Sequence, residues 1–195
     1  MWCAVLCVLL LLLDQISKIY VAGKSGISGA ANGQTVTVKE LIEGFLNIDY
    51  CENEDGMMGI FRNLPNSRLI FIIATVVILA GIFVYLFVSK NRGKWLNAAL
   101  ALIISGALGN FIDRIFLGYV RDMIHVIINI GGKEYFPYIF NVADMALVVG
   151  AIMLILDILF IDKDALIMTK KRRARMAELK KKEAEENDIF KKNAD

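Results

Sequence analysis

Leu69-Ile-Phe-Ile-Ile-Ala-Thr-Val-Val-Ile-Leu-Ala-Gly-Ile-Phe-Val-Tyr-Leu-Phe-Val88 carries no charged side chain. As a helix rising about 1.5 Å per residue, a run of that length matches the roughly 30 Å hydrocarbon core of a bilayer. Three further runs read the same way. Trp2 to Val21 is apolar apart from Asp14 and Lys18 near its end, and Trp95 to Ile112 carries Gly106 and Gly109. Asn141 to Ile161 holds Asp144 close to its start and Asp157 near its finish. Hydrophobic residues make up 57% of the 195 positions, above the share usual in soluble domains. The fold class predicted is an all-α membrane protein of four transmembrane helices, spanning about 2–21, 69–88, 95–112 and 141–161. Residues 1–161 then form the transmembrane domain and 162–195 a charged tail.

The first span lacks a basic leading region, and Asp14-Gln15-Ile16-Ser17-Lys18 stands where a small-residue cleavage site would fall, so it reads as a retained helix. Cys3, Cys7 and Cys51 form no spaced metal or disulfide pattern and read as small apolar fillers.

Orientation follows from the basic residues. Ser89 to Lys94 contains Lys90, Arg92 and Lys94 with no acid, and the tail holds Lys170-Lys171-Arg172-Arg173, Arg175 and Lys180-Lys181-Lys182. The loop 23–68 instead opposes Lys24, Lys39, Arg62 and Arg68 with Glu40, Glu43, Asp49, Glu52, Glu54 and Asp55. Both termini and the second connection are expected in the cytoplasm. The first and third connections are then exterior. In the first, Gln34-Thr-Val-Thr-Val-Lys39 and Phe45-Leu-Asn-Ile-Asp-Tyr50 alternate like half-buried strands, predicting a small extracytoplasmic β-sheet at the membrane surface. The basic tail fits contact with anionic membrane lipid or a solvated helix. No nucleic-acid fold signature accompanies its charge, and no nucleic-acid partner is expected.

Exits of odd spans and entrances of even spans share a membrane face. Asp14, Asn110, Asp113, Arg114, Asp122, Asn141 and Asp144 therefore gather at one leaflet, the outer one by the charge rule. Asp14 and Lys18, four apart on one helix face, are spaced for an ion pair. Arg114 is placed to neutralise Asp113 or to reach a loop carbonyl. Gly106 and Gly109 offer small surface for close helix packing. Asp122 and Asp144 have no base at helical spacing, and Arg121 should point away from its neighbour. A carboxylate at the edge of hydrocarbon costs several kcal/mol unpaired. The residue types leave two readings open: each acid caps a helix or bonds loop backbone, or the two share a proton. In the second case one polarises a water while the other protonates a leaving amine.

Other catalytic schemes find little support. His125 is the single histidine and reads as a loop residue, with no serine or cysteine nucleophile motif beside it. There is no His-Glu-x-x-His and no glycine-rich phosphate loop.

Four motifs, in order, resemble those of the lipoprotein signal peptidases, the type II signal peptidases of bacteria. Asp14-Gln-Ile-Ser-Lys18 is similar to D-Q-x-[ST]-K, and Gly106-Ala-Leu-Gly-Asn-Phe-Ile-Asp-Arg114 to G-A-x-G-N-x-x-D-R. Gly118-Tyr-Val-Arg-Asp122 resembles G-x-V-x-D, and Phe140-Asn-Val-Ala-Asp144 resembles F-N-x-A-D. The likeness spans roughly residues 5–160. It implies that Asp122 and Asp144 are the two catalytic aspartates of a membrane endopeptidase. Asn110, Arg114 and Asn141 would then line the site or hold its loops, Asn53 would bond to the substrate backbone, and Asp14 and Lys18 support the site. The substrates implied are diacylglyceryl-modified prolipoproteins, cut before the lipidated cysteine in the bacterial inner membrane; the chain is expected to work as a monomer. No metal and no cofactor is implied.

The chain departs from the pattern N-x-G-A-[AS]-F-[GS]. Asn53-Glu-Asp-Gly-Met-Met-Gly59 keeps Asn53 and Gly59 but puts Asp55 at the usual glycine. The stretch Asn129 to Tyr138 is longer than usual, with Gly131-Gly132 marking a turn. Two alternatives stay open: an inactive relative that binds lipoproteins without cutting them, and a small ion- or proton-translocating subunit.

Overall fold

The computed structural model describes residues 2–26, 35–54, 66–89, 93–131, 133–134, 138–161, 175 and 177–185. Asp55 to Gly59, most of the basic tail and part of the 129–138 stretch lie outside them. By internal contacts the chain forms two units, Met1–Leu154 and Ile155–Asp195.

The four long helices are α1 (Trp2–Ser25), α2 (Ser67–Val88), α3 (Lys94–Phe116) and α4 (Val142–Leu156); a π-helical turn, Asp157–Ile161, continues α4. Among the described residues, four helical segments are long and apolar enough to cross a membrane, the last counted as Val142–Phe160. Much of the apolar surface of α1, α2 and α4 points outward, as in a lipid solvent: Leu9, Leu12 and Ile16 on α1 are more than half exposed. α2 is the extreme case, with Leu79 its one buried residue among those described.

α3 is the packing centre, touching α1 and α2 and burying Leu96, Ala99, Leu100 and Ile103. Its glycines explain how α4 comes close. A Cβ on Gly106 would strike the carbonyl oxygen of Ala143 and come within 2.7 Å of Leu147 Cγ. A backbone carbonyl cannot step aside, so only glycine permits this approach. Gly150 on α4 makes the reciprocal approach, where a Cβ would lie 2.9 Å from Ala99 O.

α3 runs a turn beyond the end expected at 112, so Asp113 and Arg114 are helical. It stops where Leu117 N and Gly118 N both donate to Asp113 O, over 2.8 and 3.3 Å. Gly118 adopts φ +97°, the left-handed region that ends a helix and favours glycine. The chain then turns directly into a strand.

The sheet is β1 (Thr35–Ile42), β2 (Leu46–Asn53), β3 (Val120–Val126) and, after the hairpin β4 (Asn129–Ile130) and β5 (Lys133–Glu134), β6 (Ile139–Phe140). The order is β1-β2-β3-β6, antiparallel throughout. The two strands expected in the first loop are there; β3 and β6 come from the connection between the third and fourth spans. His125, expected in a loop, lies in β3 and pairs with Asp49 over 2.7 Å. Gly131, at φ +63°, turns the β4–β5 hairpin. Val21 at the end of α1 packs with Tyr50 and Met123, fixing the sheet to the helix ends. β3 connects α3 to the sheet, which is how a strand residue reaches the helical polar cluster.

In the second unit, residues 177–185 are helical. Lys182 and Glu178 pair there over 3.5 Å, both about 70% exposed, an ion pair worth little in water.

Candidate active site

Charged and amide side chains are the best-buried large groups in this apolar chain. Lys18, Asp113 and Asn141 have no exposure at all, and Asp14 and Asp122 have 1% and 3%. Such burial is tolerable only with partners, and every one of these groups has them.

Asn141 begins α4. Its Oδ1 accepts from Asp144 N over 2.9 Å, and Asp144 Oδ2 accepts from Asn141 N over 3.1 Å. This reciprocal cap satisfies two amides at the helix start. A third, Ala143 N, donates to Asp14 Oδ1 over 2.9 Å, so α1 helps to cap α4. Asp144 is thus a capping residue, as one open reading had it. Capping does not exhaust it, because its other oxygen, Oδ1, accepts from Asn110 Nδ2 over 2.7 Å.

Asp122 stands on β3 opposite Cys51 of β2, and Val120 stands opposite Asn53. Asn53 is therefore the diagonal neighbour of Asp122 on the same face. Its Nδ2 donates to Asp122 Oδ2 over 2.9 Å. The other oxygen, Oδ1, accepts from Asn141 Nδ2 over 2.6 Å. Asn141 thus bonds to both carboxylates, and each of the four carboxylate oxygens accepts from an amide N–H.

Burial first, and the charge of Asp144 second, raise the Asp122 pKa from the usual carboxylate range to about 7; the Asn53 and Asn141 amides oppose the rise. Two carboxylates so placed disfavour double ionisation, which suits a state with one proton on the pair. Across the strand, burial and then the nearby acids push the Cys51 thiol up despite a bond to Thr35. It stays a neutral thiol, poorly suited to act as a nucleophile.

Behind the carboxylates lies a charge-balanced layer. Lys18 Nζ reaches Asp14 Oδ2 at 2.9 Å, Asp113 Oδ2 at 3.4 Å and Asn110 Oδ1 at 2.9 Å. Asp113 also receives Arg121, whose Nη2 lies 2.6 Å from Oδ1. Two acids and two bases neutralise one another within the fold, which removes most of the penalty for burying them. Lys18 turns the Asn110 amide so that its nitrogen faces Asp144. Asp14 and Lys18 thus touch the site through Asn110 and Ala143.

The direct ion pairs of Asp113 are with Lys18 and Arg121, and Arg114 acts on it only at longer range. The Arg114 guanidinium sits 4.6 Å from the centre of the Phe71 ring, within electrostatic range of Asp144, Asp122 and Asp113. The carbonyls of the last turn of α3, Arg114 O and Ile115 O, are taken by Arg68, over 2.8 and 3.1 Å. Sequence reasoning gave no site role to Gln15, Asp113 or Arg121. A charge count over the converging motifs was the available signal, since Asp14 and Asp113 need a second cation beside Lys18. Among the described residues, no cluster of three or more His, Cys, Asp or Glu side chains is arranged to hold a metal ion.

The family model described as Signal peptidase (SPase) II matches residues 6–160. Lipoprotein signal peptidases of Streptococcus pyogenes serotypes M2 and M5 are each 37% identical over 150 residues, covering 76% of this chain and 87% of theirs. A bacterial membrane enzyme structure obtained by the in meso method at 2.3 Å aligns with a TM-score of 0.64 and 34% identity, over 80% of this chain and 87% of that one. A second, at 1.9 Å, gives 0.63 and 33%, over 80% and 92%. With its four membrane-length helices, the chain belongs to the signal peptidase II family of membrane peptidases.

Proposed function

We propose that this peptidase is of the aspartic type and removes the signal peptide from diacylglyceryl-modified prolipoproteins, cutting just before the lipidated cysteine. The observation that carries the reading is the single residue Asn141 bonded to both Asp122 and Asp144, with an amide donor on every carboxylate oxygen. Such amides orient the acids and leave the remaining lone pairs for a water and one shared proton.

In the proposed reaction the ionised partner takes a proton from water as the oxygen attacks the scissile carbonyl. The protonated partner passes its proton to the leaving amine as the carbon–nitrogen bond breaks. The signal peptide leaves with the new carboxylate, and the lipidated cysteine keeps the new amine. Base and acid are properties of the pair. Asn53, Asn110 and Asn141 hold the carboxylates, and Arg114 supplies positive potential nearby. Lys18 and Asp14 hold Asn110 and the start of α4.

The substrate class rests on the relatives, which are lipoprotein signal peptidases. It also rests on where the acids lie, at the helix ends beside the sheet, within lateral reach of a lipidated chain. By the basic residues of the connections, both termini are cytoplasmic and the site lies near the outer leaflet of the inner membrane. Residues 1–161 make up the peptidase, 162–195 a cytoplasmic tail, and one copy suffices. A translocating subunit would need polar groups along a path through the bilayer; among the described residues Asp14, Lys18, Asn110, Asp113, Asp122 and Asn141 instead form one bonded cluster with Asp144, and α2 is apolar from Leu69 on.

Incubation of the purified chain with a diacylglyceryl-modified precursor tests this reading by mass spectrometry of the products. The expected products are the free signal peptide and a protein beginning at the lipidated cysteine. An uncut precursor, with the peptidase folded, favours a relative that binds without cutting.

A further inference from the structure

The strongest tether outside the carboxylates joins Arg121 to Asp113. Arg121 Nη2 lies 2.6 Å from Asp113 Oδ1, its Nε 3.2 Å from Oδ2, and its backbone N donates to the same Oδ2 over 3.0 Å. Nη2 also donates to Gln15 Oε1 over 3.0 Å. Gln15 in turn donates through Nε2 to Gly109 O over 3.1 Å. One residue thus grips α3 by side chain and main chain, and α1 by a side chain.

The next residue is Asp122. Neighbouring residues on a strand point to opposite faces, so a side chain anchored to the helices turns its successor toward Asn53 and Asn141. The first residue of β3, Val120, follows the turn at Gly118, whose φ is +97°. Arg121 ties the strand back to α3 just beyond that turn, by its side chain and by its backbone N. Its planar fork fixes direction as well as distance, which a point charge does not. The charge of Arg121 is spent on Asp113, so its effect on Asp122 is one of placement.

We propose that Arg121 is a positioning residue for Asp122: the fork on Asp113 holds the start of β3 against α3 so that Asp122 meets the amides of Asn53 and Asn141. This rests on the reading of Asp122 and Asp144 as the dyad.

The test is steady-state cleavage of a diacylglyceryl-modified precursor by the full chain in detergent micelles. It uses Arg121→Gln, Arg121→Met and Arg121→Lys, with Asp122→Asn as control. Displacing a reacting group by about an ångström costs up to about 100-fold in rate. Arg121→Gln and Arg121→Met should lose about 10- to 100-fold in kcat, with KM changed by less than about twofold. Arg121→Lys, which restores the ion pair but not the fork, should recover part of the loss. Wild-type kcat in Arg121→Gln overturns the proposal, and so does a loss confined to KM or a lysine variant no better than glutamine. If Arg121→Met does not fold, the glutamine and lysine variants decide. Cleavage by Asp122→Asn overturns the dyad instead; an inactive Asp122→Asn beside a fully active Arg121→Gln overturns the positioning role alone.

Discussion

Asn141 caps α4 together with Asp144 and, from the same side chain, donates to Asp122 over 2.6 Å. The helix start and the pairing of the two carboxylates are therefore set by one residue. The capping bonds fix Asp144 relative to Asn141, and through the same side chain relative to Asp122.

Serine separates these two duties. Asn141→Ser keeps a good N-cap but is too short to reach Asp122. The cap is kept, but the lost bond leaves a buried Asp122 oxygen short of a donor, so stability should fall by about 1–3 kcal/mol and kcat by at least about 10-fold. Asn141→Ala should lose activity and, with the cap gone as well, about 1 kcal/mol more of stability than the serine variant. Thermal unfolding in detergent beside precursor cleavage checks both.

The pH dependence has a defined sign. Burial and the charge of Asp144 raise Asp122 from 3.8 to about 7 in the folded chain. The folded state binds that proton more tightly than the unfolded state. The stabilisation is complete below pH 3.8 and is lost as the pH rises through about 7. Asp122→Asn cannot ionise, so its thermal stability relative to wild type should grow between pH 4 and pH 8. A pH-independent difference would contradict the shift. Activity should follow a bell, failing on the alkaline side once the pair loses its shared proton.

Lys18 tests the charge-balanced layer. Lys18→Met leaves Asp14 without its partner at 2.9 Å and frees Asn110 to turn. Breaking one side of a buried pair costs about 3–5 kcal/mol. The unfolding temperature should drop sharply, and adding Asp14→Asn should recover part of it. No recovery would mean that Asp14 matters mainly as the cap on Ala143.

Gly106→Ala tests the close approach of α3 and α4. The added methyl meets Ala143 O and the Leu147 side chain, and the carbonyl cannot yield. Overpacking of this kind costs about 1–3 kcal/mol. It should also reduce cleavage, since Ala143 lies one residue from Asp144. Gly81→Ala on α2, where a Cβ meets nothing within 4 Å, should be silent.

Much of this was legible in the residues. Leu69 to Val88 is read as a span because lipid imposes one rule on it, and α2 lies where that rule puts it. Thr35 and Val36 alternate with a period a strand can use, and β1 forms there. β3 was not legible: Val120-Arg-Asp-Met-Ile-His-Val126 mixes charge and apolar residues without clean alternation, and its partners are β2 and β6, distant in sequence. The Arg121–Asp113 pair was hidden for the same reason, since only the turn at Gly118 brings the two together. Neither the β2 irregularity between Ile48 and Cys51 nor the π-helical turn at Asp157 has a local signature. Asp122 and Asp144 were visible as costly charges at the edge of hydrocarbon. Their common tie through Asn141 was visible only in three dimensions.

The central claim is that Asp122 and Asp144 act as one catalytic pair. Its most direct measurement is the cleavage rate of a diacylglyceryl-modified precursor by folded Asp122→Asn, Asp144→Asn and the double variant. The account predicts that each single variant loses activity as completely as the double, because a shared proton needs both carboxyls. Substantial cleavage surviving in either single variant would contradict it.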